Sequence, residues 1–340
     1  MTLFRKAKHF VKATIHLFIA AGKGFMEDRV MKLSAALAYY TIFSLTPLII
    51  IVISAASLFL GTPDPNSVEI NPREELFSEI GELVGADAAA QLQTFVNNAN
   101  TTGKSTIGLI IGIVTLIIGS TAIFTEIQDS INLIWKVKAV PKKGWLKLIV
   151  NRLLSFSLIV SLGFLLLVSL VINSIVVAIG DRLGYLISNS KISEYFPVVD
   201  STTTLLISIL NNAITLIAVT AVFTIIFKVL PDVKLKWKPA IVGALFTALL
   251  FSLGKYLIGI YIEKGNPGSA FGAASSLIVI LLWVYYTAII LYFGAEFTQA
   301  YAERYAKGIM PSKYAVHTKI VVIEKDVKVL PPQHPQDTKI

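Results

Sequence analysis

Residues 273–298 read AASSLIVILLWVYYTAIILYFGAEFT, an apolar run that contains a single charged residue, Glu296. A run of about 20 apolar residues is long enough to cross the hydrocarbon core of a bilayer as an α-helix. Five more runs of this kind precede it, at about residues 33–60, 105–134, 149–179, 204–230 and 240–262. The sequence therefore predicts an all-α, polytopic membrane protein with six transmembrane helices.

The composition agrees with a chain that is surrounded by lipid. Of its 340 residues, 55% are hydrophobic and only 15% are charged, whereas soluble domains average about 25% charged residues. The six runs use most of the chain, so no room is left for a large soluble domain. The chain has no cysteine, which excludes disulfides, thiol nucleophiles and thiolate metal sites.

Positive charge is concentrated in alternate connections between the runs. Seven of the 30 lysines and arginines precede residue 33, six lie in 136–152, four in 228–238 and seven follow residue 300. Cytoplasmic loops of membrane proteins carry such an excess, so the pattern predicts a multi-pass protein of the bacterial cytoplasmic (inner) membrane with both termini in the cytoplasm. Topology thus accounts for the net charge of +9, and no nucleic-acid partner is expected.

Three segments are expected outside the spans. Residues 1–32 combine lysines with apolar residues and suit either a helix on the anionic cytoplasmic face or a solvated basic arm. Residues 61–104 hold seven acids and two stretches of helical spacing, which predict a small extracytoplasmic helical hairpin between the first two spans. Residues 301–340 are expected to form a basic cytoplasmic tail, with its end unpacked.

Ionisable and amide residues inside spans are costly and usually face a bundle interior or a cavity. The first group of such residues lies near the predicted cytoplasmic ends and mixes both signs of charge, so it suits either a neutralised network or interfacial ion pairs that hold helix ends. Its members are Glu126, Asp129, Asn132, Arg152, Lys228, Asp232, Glu296 and Gln299.

The second group lies in the predicted outer half of the bundle. Lys255 is expected to snorkel outward, to bond neighbouring amides, or to face a hydrated cavity that could hold an anionic head group. Tyr256 and the amides Asn173, Asn211 and Asn212 complete this candidate cavity. Separately, Pro47 near the middle of the first span is expected to kink that helix.

Four stretches of the chain together resemble the YihY/BrkB family of bacterial inner-membrane proteins. They are ALAYYTIFSLTPL at 36–48, INLIWKV at 131–137, LPDVKLKWKPAIVGALFTALLFSLGK at 230–255 and FGAASSLIVILLWVYYTAIILYFGAEF at 271–297. The resemblance implies a six-helix membrane domain without settled catalytic residues. Family members have carried a ribonuclease BN label and a serum-resistance or virulence label, and some look like exporters of lipids or solutes.

The leading functional hypothesis is a transporter that does not hydrolyse ATP and moves a lipid or another amphipathic anion. A membrane scaffold that binds an envelope protein through the extracytoplasmic helices is the alternative, and a ribonuclease comes last. No nucleotide-binding loop or HExxH sequence occurs, and all four histidines lie in the terminal arms. We therefore expect no enzymatic activity, cofactor or metal; anionic membrane lipids are the expected partners, and homo-oligomerisation stays open.

Overall fold

The computed structural model describes residues 2–43, 77–78, 81, 86–99, 122–140, 198–265, 271 and 274–319. The helices within these ranges are α1 (Thr2–Glu27), α2 (Val30–Phe43), α3 (Ala86–Ala99), α4 (residues 122–134), α5 (Val198–Val229), α6 (Trp237–Gly265) and α7 (Ser275–Tyr305). Four short strands are β1 (Val137–Ala139), β2 (Val233–Lys234), β3 (Met310–Pro311) and β4 (Ala315–His317).

Three of these helices are long and apolar enough to cross a membrane: Asn212–Val229 within α5, α6 and α7. They correspond to the predicted spans 204–230, 240–262 and 273–298. The shorter apolar helix α2 falls in the first predicted span, and α4 forms the end of the second. The predicted span 149–179 and Pro47 lie outside the described residues, so neither six spans nor the kink is tested.

The hydrophobic core is built where α4 and the start of α2 meet the three long helices. α6 packs along both α5 and α7. Among the largest fully buried side chains are Val30 of α2, Ile131 and Ile134 of α4, Phe227 of α5 and Tyr292 of α7. Because these residues come from four helices that are distant in sequence, the core fixes the ends of α2 and α4 against the long helices.

Small residues bring α6 and α7 into close contact. A Cβ atom on Gly243 would collide with the side chain of Thr298, and one on Gly294 would collide with that of Thr247. Each threonine donates its hydroxyl proton to the carbonyl of the glycine one turn earlier on its own helix, at 2.7 Å in both cases. Helices that are surrounded by lipid associate mainly through such close packing, so these glycines position α7 against α6.

The sequence predicts an all-α protein, but the structure also contains four short strands. β1 pairs with β4 in antiparallel register, with Val137 opposite His317, and β2 pairs with β3, with Val233 opposite Pro311. The chain reverses after α7 through Lys307 and Gly308, both in the left-handed region, with φ of 65° and 82°. Residues 310–318 are therefore paired with the connections that follow α4 and α5 and do not form a free tail.

The N-terminal helix α1 packs against α7. Leu17 and Ala21 are buried against Phe297, and the ring of Phe18 lies 5.4 Å from that of Phe246 on α6. On another face the helix leaves three apolar side chains exposed: Ile15, Ile19 and Met26. The N-terminal helix thus has a docked face and an exposed apolar face.

Of the predicted extracytoplasmic hairpin, the structure describes α3 and a few residues before it. Phe77 and Ala89 are buried, and α3 packs mainly against α7 and less against α6. One helix of the predicted pair is thus present, and the rest of the hairpin lies outside the described residues.

Candidate functional site at the basic end of the bundle

Asn132 and Asp232 form a buried, reciprocal pair between α4 and the connection after α5. The Asn132 side-chain amide donates to Asp232 Oδ2 at 2.8 Å, and the Asp232 backbone N–H donates to Asn132 Oδ1 at 2.9 Å. The backbone carbonyl of Asp232 accepts from the Ser312 N–H at 3.0 Å. The pKa of Tyr314 is raised, mainly by partial burial and next by the charge of Asp232. The pair therefore joins the second predicted span, the loop after the fourth and the C-terminal segment.

A second cluster joins the N-terminal helix to α4 and α7. The ammonium group of Lys136, directly after α4, pairs with the carboxylate of Asp28, which follows α1. Glu296 on α7 lies close to both, because its carboxyl group lies against Gly24, whose carbonyl accepts from the Asp28 N–H at 2.8 Å. Close by, the indole N–H of Trp135 donates to the carbonyl oxygen of Ala295 at 3.0 Å. We call Asp28, Lys136 and Glu296 the junction cluster, because each comes from a different part of the chain.

Glu296 is the most enclosed member of the junction cluster. Its side chain is 4% exposed, and Oε1 has no hydrogen-bond partner among the residues that the structure describes. It lies directly against Gly24, where an added Cβ would stand 2.7 Å from the carboxyl carbon of Glu296. A side chain larger than glycine at position 24 would therefore displace the carboxyl group of Glu296.

The other described residues of the predicted inner group make contacts within or between neighbouring elements. Glu126 accepts from Ser130 at 3.2 Å and lies beside Tyr292, whereas Asp129 is exposed. Lys228 donates to the carbonyl of Leu235 and lies over the Trp237 ring, 5.4 Å from its centroid. Gln299 donates to Glu303 at 3.2 Å on the surface, and Arg152 lies outside the described residues. Within the described residues, Asn132 and Asp232 form one buried cluster of this group and Glu296 belongs to another.

Of the predicted outer group, the structure describes the side chains of Lys255, Tyr256 and Asn212. Lys255 is partly buried, whereas the next residue, Tyr256, is 67% exposed. Asn212 on α5 is exposed as well. Asn173 lies outside the described residues, as does the side chain of Asn211. Among the described side chains of this group, Lys255 is therefore the one that is partly buried.

Sequence reasoning missed Asp28, Lys136 and Tyr292 as members of buried clusters. Asp28 and Lys136 read as ordinary charges at span ends, and their only signal was that each directly adjoins an apolar helix. Within the described residues, no group of three or more His, Asp or Glu side chains is placed to hold a metal ion.

Long apolar helices joined by basic connections, with buried charges between them, define the chain as a polytopic α-helical membrane protein. The family model for virulence factor BrkB matches residues 21–315, which is most of the chain. The chain therefore belongs to the YihY/BrkB family.

Curated relatives support this assignment. A UPF0761 membrane protein of Saccharophagus degradans is 27% identical over 297 residues, covering 87% of this chain and 62% of the relative. One of Tolumonas auensis is 26% identical, covering 82% of both proteins. One of Pseudomonas paraeruginosa is 26% identical, covering 80% of this chain but 59% of the relative. The chain thus spans about three fifths of the length of two of these relatives. No solved structure matches this chain.

Proposed function

We propose that this protein spans the bacterial cytoplasmic membrane six times and moves an anionic lipid or another amphipathic anion across it without hydrolysing ATP. The observation that carries the proposal is a set of ionisable side chains held inside an apolar bundle. Glu296 is buried on α7 and Lys255 is partly buried on α6. Since such residues are costly in lipid, they usually mark substrate or ion pathways.

The arrangement of the basic segments supports the proposed topology. Asp28 after α1 meets Lys136 after α4 in an ion pair. The strand that follows Lys136 and the strand that follows Asp232 both pair with the segment after α7. The described parts of four segments that are rich in lysine and arginine therefore lie at one end of the bundle. We assign this end to the cytoplasm, where positive loops are retained.

Lys255 is the residue best suited to contact the anionic part of a substrate. It lies ten residues before Gly265, the last residue of α6, which corresponds to about 15 Å along an α-helix. An ammonium group at that depth attracts an anionic head group strongly, because the surrounding dielectric constant is low. The exposed side chains of Leu253 and Leu257 on the same helix suit contact with acyl chains.

The test compares variants of two lysines on α6 in liposomes. Purified wild-type protein should accelerate the transbilayer movement of a tail-labelled anionic phospholipid. Chemical quenching of the label in the outer leaflet measures this movement. Lys255→Met should lower this rate about tenfold or more, equivalent to about 1.4 kcal/mol, and Lys255→Arg should restore part of it. Lys264→Met is the matched control, because Lys264 is exposed near the end of the same helix, and should leave the rate unchanged.

Two results would contradict the proposal. If vesicles with the wild-type protein move the lipid no faster than protein-free vesicles, the protein does not transport this lipid. If the Lys255→Met protein moves the lipid at the wild-type rate, Lys255 is not part of the transport pathway.

A further inference from the structure

The junction cluster is the point where three distant parts of the chain meet through charged groups. Asp28 lies in the two-residue turn between α1 and α2, next to Arg29, whose φ is 53°. Lys136 follows α4 and has a φ of 56°, and Glu296 belongs to α7. The charged groups that face Glu296 are Asp28, Lys136 and, more weakly, Glu27.

The charges of the cluster do not balance if every group is ionised. Lys136 supplies one positive charge and pairs with Asp28, whereas Asp28 and Glu296, which meet at Gly24, would supply two negative charges close together. Like charges this close cannot both ionise without a large cost, so two carboxyl groups in contact commonly share one proton. Glu296 also offers a buried oxygen, Oε1, that has no partner among the described residues.

A proton fits this site better than a metal ion does. The ammonium group of Lys136 already occupies one side of Asp28 and would repel a second cation. Gly24 packs directly against the Glu296 carboxyl group, which leaves little room for a hydrated ion. The four oxygens of two carboxyl groups also fall short of the six or more oxygen ligands that hard cations require.

We propose that Asp28 and Glu296 share one exchangeable proton and that this proton is the coupling ion of the transport cycle. The coupling role rests on the proposed function, whereas the shared proton does not. Lys136 is partly exposed, with 32% of its side chain accessible, so it gives the pair access to water at the basic end. Loss of the proton adds a negative charge between the α1–α2 turn and α7. The resulting repulsion loosens the contact between the N-terminal helix and the last span.

The experiment is infrared difference spectroscopy of the full-length protein in lipid nanodiscs as pH is changed. The wild type should show a carboxylic-acid C=O band that disappears as pH rises. Glu296→Gln should remove this band while the protein stays folded, because glutamine resembles the protonated acid. Glu303→Gln is the matched control, since Glu303 is an exposed acid on the same helix, and should keep the band.

A second pair of variants keeps the test decisive if Glu296→Gln does not fold. Gly24→Ala should shift the pH at which the band disappears, because the added methyl group displaces the Glu296 carboxyl. Gly22→Ala should leave it unchanged, since nothing lies within 4 Å of that position.

Three outcomes overturn the shared proton: an unchanged band in Glu296→Gln, a band that responds to sodium ions instead of pH, or destabilisation of Glu296→Gln that Lys136→Met relieves. The last would assign Glu296 to an ion pair. A titrating band in a protein that moves no lipid leaves the proton site standing and contradicts the proposed function alone. Lipid movement that is unaffected by a pH gradient overturns the coupling role.

Discussion

At the scale of single residues, buried polar pairs hold the basic end together. Asn132 and Asp232 satisfy each other through two hydrogen bonds that span 100 residues of sequence. Both side chains are buried, so neither can exchange its partner for water. Removal of Asn132 takes one hydrogen-bond donor away from the buried Asp232 carboxylate, and the loss of a hydrogen bond to a buried charged group is costly.

We therefore predict that Asn132→Leu destabilises the protein by about 2 kcal/mol, the usual cost of removing a hydrogen bond to a charged group. The measurement is the midpoint of thermal unfolding in detergent, monitored by tryptophan fluorescence. Gln299→Leu is the control, because that amide makes only a surface contact with Glu303. Equal midpoints for the two variants would show that the Asn132–Asp232 pair contributes nothing particular to stability.

The sequence indicated which polar residues to examine at this scale, but not their partners. Asn132, Asp232 and Glu296 stood out because they lie in or beside apolar runs. Pairing is decided by tertiary placement, which brings α4 against the loop after α5 and the α1–α2 turn against α7. The sequence does not mark Lys136 and Asp28 as buried, since a charge at a helix end is normally solvated.

At the scale of elements, the contact between α6 and α7 depends on two glycine–threonine contacts of the same kind. Gly243 on α6 receives Thr298 of α7, and Gly294 on α7 receives Thr247 of α6. Lipid tails solvate leucine as well as another helix does, so close backbone approach is what favours association here. Gly254 belongs to the same interface, where an added Cβ would lie 2.6 Å from the Tyr286 ring.

Gly243→Ala should therefore destabilise the protein by about 1 to 3 kcal/mol, the usual cost of overpacking a filled interior. Gly259→Ala is a matched control on the same helix, where nothing lies within 4 Å, and alanine's better helix propensity should leave stability equal or slightly higher. Thermal unfolding of both variants in one detergent measures the difference. If Gly243→Ala is as stable as Gly259→Ala, the glycine is not required for helix contact.

The long helices could be predicted from hydrophobic length alone, because a bilayer imposes the same length on every span. The observed α6 and α7 extend past the predicted spans 240–262 and 273–298, since nothing in the apolar pattern marks where a helix continues into water. The strands could not be predicted. They are two or three residues long and form only because distant segments are brought together.

At the scale of the whole molecule, tertiary contacts gather four basic segments at one end. Exposed lysines lie on each connection at this end: Lys138 on β1, Lys234 on β2, and Lys307 and Lys313 around β3. Charge counting predicted that these segments share one side of the membrane. The structure adds the contacts that join them, which charge counting could not supply.

The cytoplasmic position of this basic end underlies both proposals, and single-cysteine labelling in intact cells tests it most directly. The chain has no native cysteine, so each variant carries one reporter. Lys236→Cys and Lys313→Cys, both at exposed positions of the basic end, should react with a membrane-impermeant maleimide only after cells are opened. Thr94→Cys on α3 and Ser190→Cys should react in intact cells. Labelling of Lys236→Cys or Lys313→Cys in sealed cells, or protection of Thr94→Cys, would contradict the proposed orientation.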